Sequence, residues 1–269
     1  MISAQAMFAL MAACVRGLKD LAFMEIVFMR SFSGVLMFGA FMLVRKIPFR
    51  GEQRSDLCLR GFSGFLALLA HYYAITHLPL ATATLLANTA PVLVTLLAGI
   101  FLKERIKPIL GLLILLGLYG IYLLVSPEFK LNIAAYSTGF AAAFFIAFSF
   151  FFIRKLSSEN PFTIVFYFVS ISTLGSAPWA LSNWVWPSEQ QWLLVLGIVA
   201  SAHFAQLWLT RSFQYGSAAI ISAIGYIGPV FAWLLGLAVF EETLNPSALM
   251  GACLIVTSGA AFIYMAKKT

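Results

Sequence analysis

The sequence repeats itself at a spacing of about 138 residues, and the second copy has lost the positive charges of the first. Ile26-Val27-Phe28 meets Ile164-Val165-Phe166, and Pro91-Val92 meets Pro229-Val230. Arg16, Glu104 and Pro108 meet Arg154, Glu242 and Pro246, yet Lys103, Arg105 and Lys107 face Glu241, Thr243 and Asn245. A duplicated unit whose cationic loops switch in this way is what two halves threaded in opposite directions through a membrane would show. The fold class expected is an all-α integral membrane protein. Ten transmembrane helices form two inverted-topology five-helix repeats, residues 1–130 and 131–269.

Composition supports the bilayer as solvent. Hydrophobic residues make up 62% of the chain, charged residues 10%, and mean hydropathy is +0.95. A soluble domain of this length needs far more polar surface. The net charge of +7 reads as cationic loops held in the cytoplasm rather than as a nucleic-acid footprint. Cys14, Cys58 and Cys253 are scattered and describe neither a disulfide framework nor a metal site, and no cofactor motif occurs. No basic segment precedes the first apolar run, so no cleavable leader is evident, and that run is short, as a trimmed N-terminus would be.

Apolar runs fall at 1–18, 22–44, 57–77, 80–102, 108–126, 132–153, 162–183, 190–210, 216–240 and 247–266. Each rises far enough, at about 1.5 Å per residue, to cross about 30 Å of hydrocarbon. With the N-terminus inside, cytoplasmic segments hold Arg45, Lys46, Arg50, Arg54, Arg60, Lys103, Arg105, Lys107, Arg154, Lys155, Arg211, Lys267 and Lys268. The outer side holds Arg16, Lys19 and Lys130, leaving Arg30 as the one charge well inside a helix. This asymmetry places both termini in the cytoplasm of a multi-pass protein of the cell inner membrane. Trp179, Trp184, Trp186 and Trp192 gather where an outer aromatic belt belongs.

At this point the chain resembles the EamA family of the drug/metabolite transporter superfamily. The resemblance lies in Glu25-Ile26-Val27-Phe28-Met29-Arg30 and in the stretch from Tyr73 through His77-Leu78-Pro79 to Ala83. It continues through Ala90-Pro91-Val92 and Phe101-Leu102-Lys103-Glu104-Arg105, and in the second copy through Tyr226-Ile227-Gly228-Pro229-Val230 and Val239-Phe240-Glu241-Glu242-Thr243-Leu244. It implies ten helices around a central cavity and the transport of small organic metabolites.

The residues themselves point to the midplane. Pro91 and Pro229 stand mid-helix, where a missing donor and a clash with the preceding turn should kink or open the backbone. Such backbone is tolerated at that depth only against protein or a wet cavity. Thr84, Asn88, Pro91 and Thr95 share one helical face, and Ser222, Tyr226, Pro229 and Trp233 share its counterpart. Either these faces form opposing walls of a substrate site, or their polar groups hold helices together. His71 and Tyr72, with His203 and Gln206, extend the polar lining; each histidine either touches substrate or is a satisfied buried ring. Arg30 either attracts an anionic group, or snorkels outward or pairs with Glu25 or Asp20 to anchor its helix. Glu104 and Glu242 are gating or structural residues at loop mouths, and the run from Phe144 to Phe152 is lipid-facing and packing surface.

The function expected is a secondary transporter moving a neutral or zwitterionic metabolite (amino-acid-like, nucleoside-derived or vitamin-like) by alternating access. No carboxylate falls mid-helix, which favours facilitated diffusion or exchange; coupling to a proton or a counter-solute stays open. The partners are therefore a small-molecule substrate and the lipid bilayer, not nucleic acid. A channel or a non-transporting scaffold is the alternative. An enzyme is disfavoured because the histidines are dispersed and lack a carboxylate.

Overall fold

In hydrocarbon no water meets a free N–H or C=O, so apolar runs that cross it must close their hydrogen bonds within themselves, and they do so as helices. The computed structural model describes residues 1–18, 21–78, 80–102, 108–125, 133–239 and 246–267, leaving aside the side chains of 16, 72, 75, 76, 80–82, 125, 263, 266 and 267. These residues form α1 (Ile2–Arg16), α2 (Phe23–Val44), α3 (Arg54–His77), α4 (Leu80–Ala87), α5 (Ala90–Phe101) and α6 (Pro108–Val125). The second half supplies α7 (Ile133–Lys155), α8 (Pro161–Ser182), α9 (Glu189–Tyr215), α10 (Ala218–Ile224), α11 (Ile227–Val239) and α12 (Pro246–Lys267).

The ten apolar runs become twelve helices because the fourth and ninth are each broken in two. Among the described residues, six helical segments are long and apolar enough to cross a membrane: Phe23–Val44, Ala83–Phe101, Ile133–Lys155, Pro161–Ser182, Glu189–Tyr215 and Ala218–Val239. Three more are apolar but shorter: Ile2–Val15, Pro108–Leu124 and Pro246–Phe262. The helix α3 is absent from both groups; Arg54, Asp56, Arg60 and its histidines dilute its hydropathy.

Two hydrogen bonds fix how the halves meet. Glu25, in the first turn of α2, accepts from the backbone N–H of Val185, just past the end of α8, at 2.6 Å. Thr163, in the first turn of α8, donates to the carbonyl of Pro48, just past the end of α2, at 3.0 Å. The two helices are repeat equivalents, and they lie side by side in opposite directions. A two-fold relation between antiparallel neighbours needs an axis perpendicular to both, which in a bilayer lies in the membrane plane. The repeat is inverted.

The remaining contacts obey the same axis. The helix α3 packs on α7 as α9 packs on α1, and α5 packs on α7 as α11 packs on α1. The second self-equivalent pair, α6 with α12, also runs antiparallel, since Gly117 faces Ser258 and Gly120 faces Gly251. Lipid offers no hydrophobic drive between helices, so close approach at small residues carries such pairs. A Cβ on Gly251 would stand 2.5 Å from the Gly120 carbonyl oxygen, and one on Gly120 would stand 2.9 Å from that of Gly251. Large apolar side chains such as Val44, Ile100, Leu112, Leu174 and Leu193 cover the outer surface, as lipid contact requires.

At one end a polar latch joins the halves. The N–H of Gln53 donates to Glu159 at 2.6 Å, its amide donates to Ser158, and Lys155 pairs with Asp56 at 2.8 Å. Gln214, at the end of α9, donates to the carbonyls of Leu156 and Glu159. At the other end Trp179 and Trp186 are exposed, and Trp184 meets Trp186 edge-on.

Several cations read as belonging to cytoplasmic segments lie within helices, among them Arg60 and Arg211. Arg60 lies inside α3, only 2% exposed, so Arg30 is not the only charge within a helix. Arg211 is in α9, which continues to Tyr215 rather than ending near 210. Sequence position alone cannot show how far a basic side chain near a helix start is carried inward by packing. The phenylalanine run divides likewise: Phe144 is exposed, whereas Phe152 is buried.

Gly251→Ala should therefore lower the melting temperature in detergent by an amount equivalent to about 1–3 kcal/mol of overpacking. Gly111→Ala, whose new methyl meets open space, should not. Equal melting temperatures for the two variants would contradict this helix pairing.

Candidate functional site

Pro91 falls in the first turn of α5, where a missing N–H costs nothing, and α4 has already ended at Ala87. Side chains in and after the break add hydrogen bonds to carbonyls, those of Thr84 and Leu86 already accepting from the backbone N–H groups of Asn88 and Thr89. Asn88 Nδ2 donates to the Thr84 carbonyl at 2.8 Å, Thr89 Oγ1 to that of Leu86 at 2.6 Å, and Thr95 Oγ1 to that of Pro91 at 2.8 Å. The second break closes differently. Gly225 N–H donates to the carbonyls of Ile221 and Ser222, and Tyr226 N–H to that of Ala223, before Pro229 follows in α11. Ser222 Oγ donates to the Ala219 carbonyl of its own helix, so it ties no helices together.

Residues flanking the two breaks share one apolar cluster. Leu85 and Val92 from the first pack in one cluster with Ala223, Tyr226, Val230 and Trp233 from the second, together with residues of α6 and α12. Tyr226 is 3% exposed, its ring lies over Gly117, and its hydroxyl is buried without a hydrogen-bond partner. An unmet buried hydroxyl costs about 1–3 kcal/mol. Asn88 caps its own helix, which is a structural duty. On α1, which packs against α11, Gln5 lies against Gly225 and Gly228, a contact that no sequence motif marked.

A second polar patch forms where α2, α3, α8 and α9 meet. His203 is 3% exposed, stands 3.1 Å from the Ser33 hydroxyl through Nε2, and meets the Phe38 ring edge-on. Gln206, one turn along, is also buried. The Arg30 guanidinium lies 6.0 Å from the centre of the Phe168 ring, and that of Arg60 lies 4.5 Å from the same ring. Glu25 does not pair with Arg30: its two oxygens accept from the backbone N–H groups of Ala22 and Val185. Asp20 lies outside the described residues. A desolvated cation over an aromatic ring gains about 2 kcal/mol, against several kcal/mol for removing an ion from water. The patch is electrostatically incomplete.

His71 belongs to neither group; its Nδ1 is buried without a partner in α3. The side chain of Tyr72 lies outside the described residues, as do Glu104 and Glu242 in full. A cavity of about 570 Å³ opens at the end of α9, lined by Met1, Ser3, Trp208, Arg211, Ser212, Tyr215, Gly216 and Ile221. None of the nominated substrate residues lines it, so it is a vestibule at one end rather than the midplane chamber expected. Sequence reading missed Arg60, Ser33 and Phe168. The available signal was Arg60 inside an apolar run with Gly64 one turn later, since a Cβ there would stand 2.5 Å from Arg60 Nη1.

Tyr226→Phe should raise the melting temperature of the ligand-free protein by removing the unmet hydroxyl, while Asn88→Ala should lower it through loss of one hydrogen bond worth about 1 kcal/mol. Transport falling in both variants would keep both in the site; unchanged uptake would remove them.

With this geometry in place, likeness to known proteins gains meaning. The model of the EamA-like transporter family matches residues 1–126 and again 133–265. The pseudopaline exporter CntI of Pseudomonas aeruginosa is 34% identical over 237 residues, 87% of this chain and 84% of that protein. An uncharacterized transporter of Helicobacter pylori is 28% identical over 267 residues, 94% of this chain and 89% of that one. The S-adenosylmethionine uptake transporter of Rickettsia prowazekii is 24% identical over 212 residues, 78% of this chain and 72% of that one. A protein of known crystal structure superposes with a TM-score of 0.86 at 19% identity, over 99% of this chain and 96% of its own, a likeness of fold. An inverted repeat with paired helix breaks and two matches to one family model leads to one conclusion: the chain belongs to the EamA-like transporter family.

Proposed function

We propose that the chain is a secondary carrier for a small organic metabolite, working by alternating access across the cell inner membrane. Ten spans, with α4–α5 and α10–α11 each counted as one broken span, form two units of residues 1–130 and 131–269. These rock against each other, with both termini in the cytoplasm. The observation that carries this reading is that each inverted half has one broken helix whose flanking residues share a cluster, while a separate buried polar patch lies between α2, α3, α8 and α9. Opened backbone at membrane depth is what carriers use to hold solute.

Asn88, Tyr226, Thr84, Ser222 and Trp233 flank the breaks, and His203 and Gln206 stand in the adjoining patch. These residues, with His71 and Tyr72, are the proposed solute contacts; Pro91 and Pro229 mark the hinges. Glu104 and Glu242 act as gating or structural groups, and the latch of Gln53, Asp56, Lys155 and Glu159 closes the cytoplasmic end. Buried carboxylates among the described residues, Glu25 and Glu159, sit at helix ends rather than mid-span, which favours exchange or facilitated diffusion. The relatives include one named as an exporter and one as an uptake transporter, so either direction of net flux fits this reading.

Reconstituted in liposomes, the protein should show saturable uptake and counterflow for a member of a panel of amino acids, nucleoside derivatives and vitamins. Flux without saturation or counterflow would identify a channel, and no flux a scaffold. In a cysteine-free background, Glu52→Cys should resist an impermeant thiol reagent added outside cells and Glu189→Cys should react. The reverse pattern would overturn the orientation.

A further inference from the structure

Arg60 is 98% buried, and its Nε and Nη1 have no hydrogen-bond partner. Its guanidinium shares the Phe168 ring with that of Arg30. Among the described residues neither arginine has a carboxylate within ion-pair distance: on α2 Glu25 is committed to backbone N–H groups, and on α3 Asp56, one turn before Arg60, pairs with Lys155. The hydroxyls nearby do not fill the gap. Ser63 donates to the carbonyl of Arg60 itself, and Ser33 to that of Arg30. Ser172, one turn beyond Phe168, is buried with its hydroxyl unpartnered. The ring offsets only part of the cost of desolvating Arg60, and half-buried Arg30 adds a second positive charge beside it. Donors of this kind, held dry and unmatched, accept an anion.

Symmetry supplies the depth. Phe168 is the repeat equivalent of Arg30, at the same spacing of about 138 residues that relates the two halves. A residue that touches its own equivalent lies at the two-fold axis, and an axis in the membrane plane lies at the bilayer midplane. The cationic pair therefore stands where an inverted-repeat carrier holds its cargo. At this central position the first half presents a cation and the second an aromatic ring. One face of an asymmetric solute would meet charge and the other would meet a π surface.

We propose that Arg30 and Arg60 form the subsite for an acidic group, carboxylate or phosphate, of the transported solute. This rests on the carrier reading and narrows it: a zwitterion or an acid is carried, and a neutral molecule is not. Gly64 lets the Arg60 guanidinium and the Phe168 ring lie close against α3, and Gly34 lets His203 and Val169 lie close against α2, so small residues hold the patch in place.

The test is thermal unfolding of the delipidated protein in detergent with amino acids, their carboxamides, inorganic phosphate, and phosphatidylglycerol as separate arms. At least one acid should raise the melting temperature while its carboxamide does not, and Arg60→Gln should weaken that effect by tenfold or more. Ligand-free Arg60→Gln should melt no lower than wild type, because a buried unpaired charge has been removed. Arg60→Lys should keep part of the shift. Carboxamides as effective as acids, no shift with any acid, or stabilisation by phosphatidylglycerol alone would each overturn the subsite. So would a lower melting temperature in both ligand-free Arg60 variants, which would mark a structural arginine. Counterflow separates the two ideas. Equal counterflow of acid and carboxamide keeps the carrier and removes the subsite; acid stabilisation without counterflow keeps the subsite and removes the carrier.

Discussion

The antiparallel contact between α2 and α8 is what the rest of the molecule depends on. It holds together two copies of one unit that face opposite sides of the bilayer, through Glu25 to Val185 at one end and Thr163 to Pro48 at the other. Once these equivalent helices are fixed as neighbours, the in-plane axis is fixed. The packing of α3 on α7 then mirrors that of α9 on α1. The breaks at Asn88–Thr89 and Gly225–Tyr226 occupy corresponding places in the two halves.

Symmetry of backbone coexists with asymmetry of side chains, and that difference gives the protein its chemistry. Asn88 caps a helix where Tyr226 buries an unmet hydroxyl. Arg30 stands where its equivalent is Phe168, and His203 where its equivalent is Phe65. A perfectly symmetric chamber would bind a symmetric ligand; metabolites are not symmetric. Polar groups are costly in hydrocarbon, and Arg30, Arg60 and His203 are held among α2, α3, α8 and α9 rather than on the outer surface.

Much of this was legible in the chain. The loss of basic residues between the loop at Lys103–Lys107 and its counterpart at Glu241–Asn245 foretold inversion, because the charge asymmetry of loops follows from membrane insertion itself. The prolines foretold the breaks, though each backbone opens just before its proline. What stayed hidden depended on tertiary packing. Arg60 falls inside the apolar run 57–77 yet reads as one more cation of the cytoplasmic side until α3 is seen to begin at Arg54 and to carry that side chain over Gly64 onto Phe168. Glu25 reads as the natural partner of Arg30 until the loop after α8 is seen to occupy it. Spacing along one helix reports which residues share a face, but not which other helix faces them.

Alternation between inward and outward states is the central claim, and distances at the two ends test it most directly. Spin labels at Glu52 and Ser157 would report the end closed by the latch, and labels at Ala22 and Trp186 the opposite end. In lipid nanodiscs, solute that shifts the populations should lengthen one distance as it shortens the other. Two distances that stay fixed under saturating solute, or that widen together, would contradict a carrier built from two counter-rotating halves.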